Sequence, residues 1–309
     1  MTTVRATAAA SIGNFSVGFD VLGVALDVLD GEPLGDVVEV SASTSGQHQL
    51  EVCGKFATYL PEAVEENLVW QCLQAFAALC EVPPLKIILS KQLPISSGLG
   101  SSASSIVAAA VALNTYLEEP LSAVELLDLC GRLEGGISGS VHLDNVAPSL
   151  LGGLVLCNGS DTCLLPFNRD WRLVVSYSGQ AVSTRVMREV LPAEYPANKV
   201  TLQMTALASF INALHIQDWQ LAEASVIDHL AEPRRAAQIS GFTAAKPQCF
   251  SLGADAVGIS GSGPTLFALC RQDAAAAIAG WLEKNYVYND QAFTRICKIS
   301  NRPALIERF

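Results

Sequence analysis

The run Pro94-Ile95-Ser96-Ser97-Gly98-Leu99-Gly100-Ser101-Ser102-Ala103-Ser104 leads directly into an alanine-rich stretch predicted as a helix to about Leu117. No other segment restricts the chain so strongly. Glycines permit turns and close backbone approaches that are closed to other residues. The first turn of a helix presents N–H groups without intrahelical partners, together with the positive end of the helix dipole. A phosphate group fits such a place, and the hydroxyls of Ser101 and Ser102 can add contacts to phosphate or to a magnesium ion. A helix that packs tightly through small residues at its start reads the same way in isolation. Two phosphate motifs are excluded. No Gly-Lys-Ser/Thr closes the loop as in a Walker sequence, and the third glycine and the later acidic residue of a dinucleotide fingerprint are missing.

Far downstream, Gly258-Ile259-Ser260-Gly261-Ser262-Gly263-Pro264 sets three glycines between two strand-like runs. Alone it reads as a tight hairpin. Beside the first loop it reads also as the second wall of a nucleotide site.

Composition narrows the partners. The formal charge of -11 argues against a phosphate-backbone binder, which normally presents a dense basic surface, so no nucleic acid is expected. A single ATP is compatible with it, because the field inside a cleft is set locally. Nine cysteines, among them Cys72, Cys80, Cys130, Cys157 and Cys270 in apolar surroundings, lack metal-site spacing and read as buried thiols in a reducing compartment. The first residues lack the long apolar stretch of a signal peptide, and residues 101–117 are too short and too rich in serine for a membrane span, so no membrane association and a cytoplasmic location are expected.

The pattern along the chain predicts strands at 4–6, 21–29, 37–40 and 50–52, a helix over 68–80, and a strand at 85–89. Ser122 and Glu125 stand at capping-box spacing before a further helix that Gly135-Gly136 should end. A polar segment over 137–149 and a strand at 150–157 follow. In the second half, strands are expected at 173–177, 256–260, 265–270 and 293–299, with helices over 183–191, 201–230 and 273–285. Clustered strands with irregularly placed helices favour an α+β fold of two layered domains, divided near Asn158-Gly159-Ser160-Asp161 into residues 1–160 and 161–309.

With these segments in order, the chain resembles the GHMP kinase superfamily, named for galactose, homoserine, mevalonate and phosphomevalonate kinases, and within it most closely the bacterial homoserine kinases. The resemblance spans nearly the whole length: ASIGNFSVGFDVLG at 10–23, PISSGLGSSAS at 94–104, GSVHLDNVAP at 139–148, STRVMREVLP at 183–192, LAEPRR at 230–235 and GISGSGPTLFAL at 258–269. Two departures are visible: Ala8-Ala9-Ala10 precedes Ser11 where many relatives carry a proline, and Ser104 stands where many carry alanine. Small residues preserve room at both places.

The resemblance implies a two-domain α+β fold. The N-terminal ATP-binding domain would resemble the second domain of a small-subunit ribosomal protein, with a left-handed βαβ crossover, and the C-terminal domain would be α/β-plait-like. It implies ATP- and Mg²⁺-dependent phosphorylation of the side-chain hydroxyl of L-homoserine, in threonine biosynthesis, by a homodimer. Residues 94–104 would form the phosphate loop, with Asn67 against the purine and Lys91 beside the nucleotide. Ser102 and Glu134 match the magnesium-binding pair, and Ser101, a phosphate contact, is exchangeable with Ser102 in that role. Asn14, Asp20 and His142 match residues around the amino acid, with Asp20 the partner of its ammonium group. Thr184 and Arg188, four apart, would share one helix face. Arg188 and Arg235 match carboxylate-binding arginines, and the motif favours Arg235 over its neighbour Arg234. Asn145 takes the place of the catalytic aspartate of mevalonate kinase and cannot remove a proton, so no protein general base is expected. The competing readings are a sugar or isoprenoid-alcohol kinase of the same superfamily, and a metabolite sensor that binds nucleotide without chemistry.

Overall fold

In the computed structural model, which describes residues 2–138, 141–159 and 161–309, the alanine-rich stretch is the helix Ser101–Tyr116. It carries no charged residue, and Ser101 and every residue from Ala103 to Thr115 are buried. An uncharged helix of small and apolar residues buried on every face has to be covered on all sides. A five-stranded sheet lies against one face, and the helices Leu68–Ala77, Ala123–Ser138 and Val146–Leu151 close the rest. Gly139 and Ser140, which open the 139–148 motif, and Ser160 at the expected division lie outside the described residues.

The five-stranded sheet runs in the order Leu305–Arg308, Val4–Ala9, Gly35–Ala42, Leu85–Ser90, Gln49–Cys53, antiparallel except for its last pair. Alternation along Val4–Ala9 and Leu85–Ser90 sends Val4, Ala6, Ala8, Leu85, Ile87 and Leu89 to the helical layer. The second sheet has eight strands, in the order Ala254–Ile259, Leu266–Cys270, Arg172–Tyr177, Phe293–Ile299, Leu22–Val28, Leu154–Asn158, Asp161–Leu165, with Ser11–Gly13 beside Leu22–Val28. Period-two alternation divides its sides. Leu173, Val175 and Phe267 pack with Phe210 and Leu214 of the helix Ala197–Ile216, while Val174, Leu266 and Ala268 pack beneath the helices Phe242–Ser251 and Gln272–Asn285. Pairing of Leu22–Val28 with Phe293–Ile299, and of Val4–Ala9 with Leu305–Arg308, ties the two halves of the chain together.

Most expected elements are present, with informative differences. Ser122 and Glu125 form the capping box: the Ser122 N–H donates to Glu125 Oε2 at 2.8 Å and the Glu125 N–H to Ser122 Oγ at 3.4 Å. The helix they start passes through Gly135-Gly136 to Ser138. The short helix Val146–Leu151, whose Pro148 sits in the first turn where proline is tolerated, begins in the expected polar segment 137–149 and takes the first two residues of the expected strand 150–157, which begins instead at Leu154. The helical pattern over 201–230 is two helices, Ala197–Ile216 and Trp219–Ala224. They separate where Gln217 turns left-handed and Asp218 caps the second by accepting from the Leu221 N–H. Cys72, Cys130, Cys157 and Cys270 are buried free thiols and Cys80 is half-buried. Among the described residues no helix is long and apolar enough to cross a membrane.

Candidate active site

Gly100 stands immediately before the central helix with φ +64°, a conformation that side-chain-bearing residues rarely adopt. A Cβ there would lie 2.2 Å from Ser11 Oγ and 3.0 Å from Asn145 Oδ1, so glycine is required on two counts. Among the described residues no side chain caps the first helical turn. Its N–H groups open on a cavity of about 430 Å³ whose wall includes Ile95, Ser96, Ser97, Gly98, Gly100, Ser101 and Ser102. Pro94, Leu99, Ala103 and Ser104 of the same run serve elsewhere. Leu99 and Ala103 are in the core, and Ser104 donates from Oγ to the Ala8 carbonyl at 2.7 Å while accepting from the Asp36 N–H at 2.8 Å.

The second glycine loop is both a hairpin turn and a wall of this site. It joins the antiparallel strands Ala254–Ile259 and Leu266–Cys270 and clasps the first loop. Ser260 Oγ donates to the Gly98 carbonyl at 2.6 Å, and Thr265 donates to the Ser97 carbonyl from N at 3.1 Å and from Oγ1 at 2.7 Å. At Gly98, φ +81°, a Cβ would come within 2.4 Å of the Ser260 carbonyl oxygen, so the clasp needs glycine.

Ser102 Oγ donates to Glu134 Oε1 at 2.8 Å, linking the start of the helix Ser101–Tyr116 to the helix Ala123–Ser138. Burial pushes the Glu134 carboxyl up, against the opposing effects of Ser102 and the Lys91 charge. A hydroxyl and a carboxylate are hard oxygen donors of the kind Mg²⁺ takes, and a carboxylate destabilised by burial gains from a cation. These residues therefore fit the ion.

Lys91 reaches the same cavity from below, but its charge is already engaged. The ammonium is buried, ion-paired with the fully buried Asp36, and donates to the Ser101 carbonyl at 2.8 Å and Ser105 Oγ at 2.9 Å. Burial lowers its pKa while Asp36 opposes the shift. Asn67 is buried at the start of Leu68–Ala77, where its side-chain oxygen caps the helix by accepting from the Val69 N–H at 3.0 Å, and it lines the cavity with Tyr59, Leu60, Pro61 and Leu68.

The opposite end of the cavity is built by residues 14–20. Asn14, Phe15, Ser16 and Asp20 all have positive φ, a cost held in place by the surroundings. The Asn14 N–H donates to Asp144 Oδ2 at 3.1 Å, its Nδ2 donates to the Gly261 carbonyl at 2.9 Å, and its Oδ1 accepts from the Asp20 N–H at 2.8 Å. Phe15 stacks on Phe267 with centroids 5.2 Å apart. Asp20 is thereby fixed against Arg188, which grips it with two donors at 2.7 and 3.2 Å, and His142 Nδ1 lies 3.7 Å from the same carboxylate. Burial lowers the His142 pKa, favouring the neutral imidazole.

Thr184 and Arg188, four apart in the helix Thr184–Glu189, both line the cavity. Arg235 does so as well and is buried, whereas Arg234 is exposed. Arg235 donates to the Met187 carbonyl from Nε at 3.1 Å and to the Gly261 carbonyl from Nη1 at 3.0 Å. Asn145 also lines the cavity and accepts from Ser11 Oγ at 2.9 Å. Two further carboxylates, Asp36 beneath the loop and Asp144 on the cavity wall, carry no motif of their own in the sequence. Burial, with the nearby charge of Asp20, pushes the Asp144 carboxyl up to about 7. The only local signal for Asp144 was its place beside Asn145.

A glycine loop at an open helix start, with two oxygen donors beside it and a cluster of cations at the far end of the same cavity, defines a site for phosphoryl transfer to a small molecule. The comparisons carry this to a family. The model for the GHMP kinases N terminal domain matches residues 67–153, and that for the GHMP kinases C terminal domain matches residues 208–287. The crystal structure of homoserine kinase from Cytophaga hutchinsonii is 30% identical, covering 99% of this chain and 97% of that one, with a TM-score of 0.89. A putative homoserine kinase from Listeria monocytogenes (20% identity, 100% of both chains, TM-score 0.73) and the L. major mevalonate kinase (19%, 96% and 97%, TM-score 0.70) share the fold. The chain belongs to the GHMP kinases, with their two-domain α+β fold, and is a small-molecule phosphotransferase. Kinases of this family use ATP and Mg²⁺.

Proposed function

We propose that the chain transfers the γ-phosphoryl group of ATP to the side-chain hydroxyl of L-homoserine. The observation that carries this reading is the convergence of Arg188, Arg235 and Asp20 on the cavity that the phosphate loop opens into. A zwitterionic amino acid needs cations for its carboxylate and an anion for its ammonium group, and a planar carboxylate suits two-donor arginine. The homoserine kinase of C. hutchinsonii, similar along its whole length, supports the same substrate. We assign ATP binding to residues 1–160 and the arginine-bearing wall to residues 161–309. The assembly is a homodimer acting in threonine biosynthesis in the cytoplasm, a reading that rests on family resemblance and on buried free thiols.

In this reading the N–H groups of the first turn of Ser101–Tyr116 and of residues 96–100 hold the β- and γ-phosphates, with Ser101 a further contact. Asn67, whose oxygen is used in capping, offers its NH₂ group to the purine. Ser102 and Glu134 hold Mg²⁺, which supplies charge neutralisation on the phosphates. His142 and Thr184 hydrogen-bond the amino acid, and Asn145 orients the hydroxyl without accepting its proton. Catalysis then rests on alignment and charge stabilisation, and the hydroxyl proton leaves to a phosphate oxygen or to solvent.

A panel of L-homoserine, mevalonate and galactose with ATP and Mg²⁺, read by ADP and phosphorylated product, tests the assignment. Homoserine is expected to be the preferred acceptor. Equal or faster turnover of mevalonate or galactose would overturn it, and tight nucleotide binding without product would make the protein a sensor. For the metal pair, Glu134→Gln retains size and removes the anion, so kcat is expected to fall roughly 100-fold or more with a nearly unchanged melting curve. Ordinary turnover at saturating Mg²⁺ would count heavily against Glu134 as a ligand.

A further inference from the structure

Two like charges stand close together at the substrate end of the cavity, carried by separate helices. Arg188 lies in the last turn of Thr184–Glu189 and Arg235 at the end of Glu232–Arg235. The Arg188 charge lowers the pKa of Arg235, second only to burial. Asp20 engages Arg188 through both of its oxygens, whereas the Arg235 hydrogen bonds go to neutral carbonyls of Met187 and Gly261. Asp20 also attracts Arg235 through its charge, and one aromatic ring lies over both guanidinium groups. The ring of Phe19 has the Arg188 guanidinium carbon 5.7 Å from its centroid and that of Arg235 at 5.5 Å. The negative face of an aromatic ring attracts a guanidinium at this range. Phe19 does not line the cavity itself. It immediately precedes Asp20 in the loop that Asn14 fixes, so its position is set by the same hydrogen bonds that set the carboxylate.

We propose that Phe19 is a positioning residue for substrate specificity, its ring holding Arg188 and Arg235 at the separation at which they grip an α-carboxylate. This rests on the reading of those arginines as the carboxylate site. A non-aromatic apolar residue at position 19 attracts neither cation, so the mutual repulsion of the arginines, offset in part by Asp20, would be less fully balanced and the pair should spread. The cost should fall on binding of the carboxylate, leaving nucleotide binding and the transfer step largely intact.

Steady-state kinetics of Phe19→Leu, Phe19→Met and Phe19→Tyr, with Arg235→Leu alongside, test this. For the Leu and Met variants a roughly 5- to 30-fold rise in KM for L-homoserine is expected, with kcat and the KM for ATP within about twofold of the parent. Discrimination against 3-aminopropan-1-ol, which lacks the carboxylate, should shrink by a similar factor. Phe19→Tyr, which keeps the ring, should restore the parent KM to within about twofold. Two aliphatic variants guard against one failing to fold, and melting curves identify such a case. The proposal is overturned if a folded aliphatic variant keeps the parent KM, if Tyr behaves like Leu, or if kcat and ATP binding fall together with the homoserine KM. An Arg235→Leu variant that leaves the homoserine KM unchanged would instead remove the carboxylate site itself. A large Arg235 effect beside a silent Phe19→Leu would reject the role of Phe19 alone.

Discussion

Arg235→Leu is expected to lower kcat/KM for L-homoserine roughly 30- to 1000-fold, a loss of about 2–4 kcal/mol of transition-state binding, while ATP affinity stays close to the parent's. The guanidinium has five N–H donors, and the protein's own carbonyls use two of them, at Met187 and Gly261. The rest of the fork remains for an acceptor in the cavity that Arg235 lines. A purely structural arginine would show its loss in the melting curve and not in substrate discrimination. Because Arg235 is only 3% exposed and ties two segments together, folding has to be measured beside kinetics. Arg235→Lys supplies the control: it keeps a cation and loses the planar fork, so its kinetic defect should fall between those of the parent and the Leu variant.

The neighbouring Arg234 gives a second comparison. It shares the sequence surroundings of Arg235 but is exposed, so Arg234→Leu should change homoserine kinetics little. Loss of turnover in Arg234→Leu alone would mean that the register through LAEPRR is wrong by one residue. If neither leucine variant affected homoserine, the carboxylate clamp would have to be abandoned.

The parts of this site that were legible in the sequence are those whose physics is local. A glycine pair before an uncharged helix, a capping box, and a threonine and arginine four residues apart each state their geometry within one or two turns. The residues that escaped owe their roles to partners far along the chain. Asp36 follows Gly35 at the head of an ordinary strand, and nothing nearby shows that Lys91 will be buried against it. Phe19 reads as one more apolar residue until helices more than 160 residues later bring two arginines to its ring. The missed helix Phe242–Ser251 contains Pro247, which argues against a helix locally and is outweighed by burial of Phe242, Ala245 and Cys249. The eight-stranded sheet was equally hidden, because its continuity depends on Leu22–Val28 pairing with Phe293–Ile299, and periodicity within a strand carries no information about a neighbour from the other end of the chain.

The largest expected effect on stability lies beneath the phosphate loop. Asp36 Oδ1 accepts from the Gln92 and Leu93 N–H groups at 2.8 and 3.0 Å, while Oδ2 holds the Lys91 ammonium and accepts from Ser105 Oγ at 2.6 Å. One carboxylate thus joins the segment that enters the loop to the second turn of the helix that leaves it. Asp36→Asn keeps an acceptor for the two backbone N–H groups but leaves Lys91 buried without its counter-ion. Breaking one side of a buried pair costs roughly 3–5 kcal/mol, and the melting temperature should fall by on the order of 10 °C at pH 7. The pH dependence identifies the cause. Burial already lowers the Lys91 pKa, and removing Asp36 takes away the chief interaction that opposes this, so in the variant the folded state should hold the Lys91 proton less tightly than the unfolded chain does. Where the unfolded chain binds more protons, stability rises with pH, so the deficit relative to the parent should shrink as pH increases from 7 toward the ordinary lysine pKa of about 10.4. Adding Lys91→Met to Asp36→Asn removes the stranded charge and should recover much of the loss at pH 7, with the pH dependence abolished. Thermal melts of the parent, the single variant and the double variant at pH 7 and about pH 9.5 read all three outcomes. An Asp36→Asn melting curve that coincided with the parent's, or a deficit that grew with pH, would show that the ion pair does not anchor the loop.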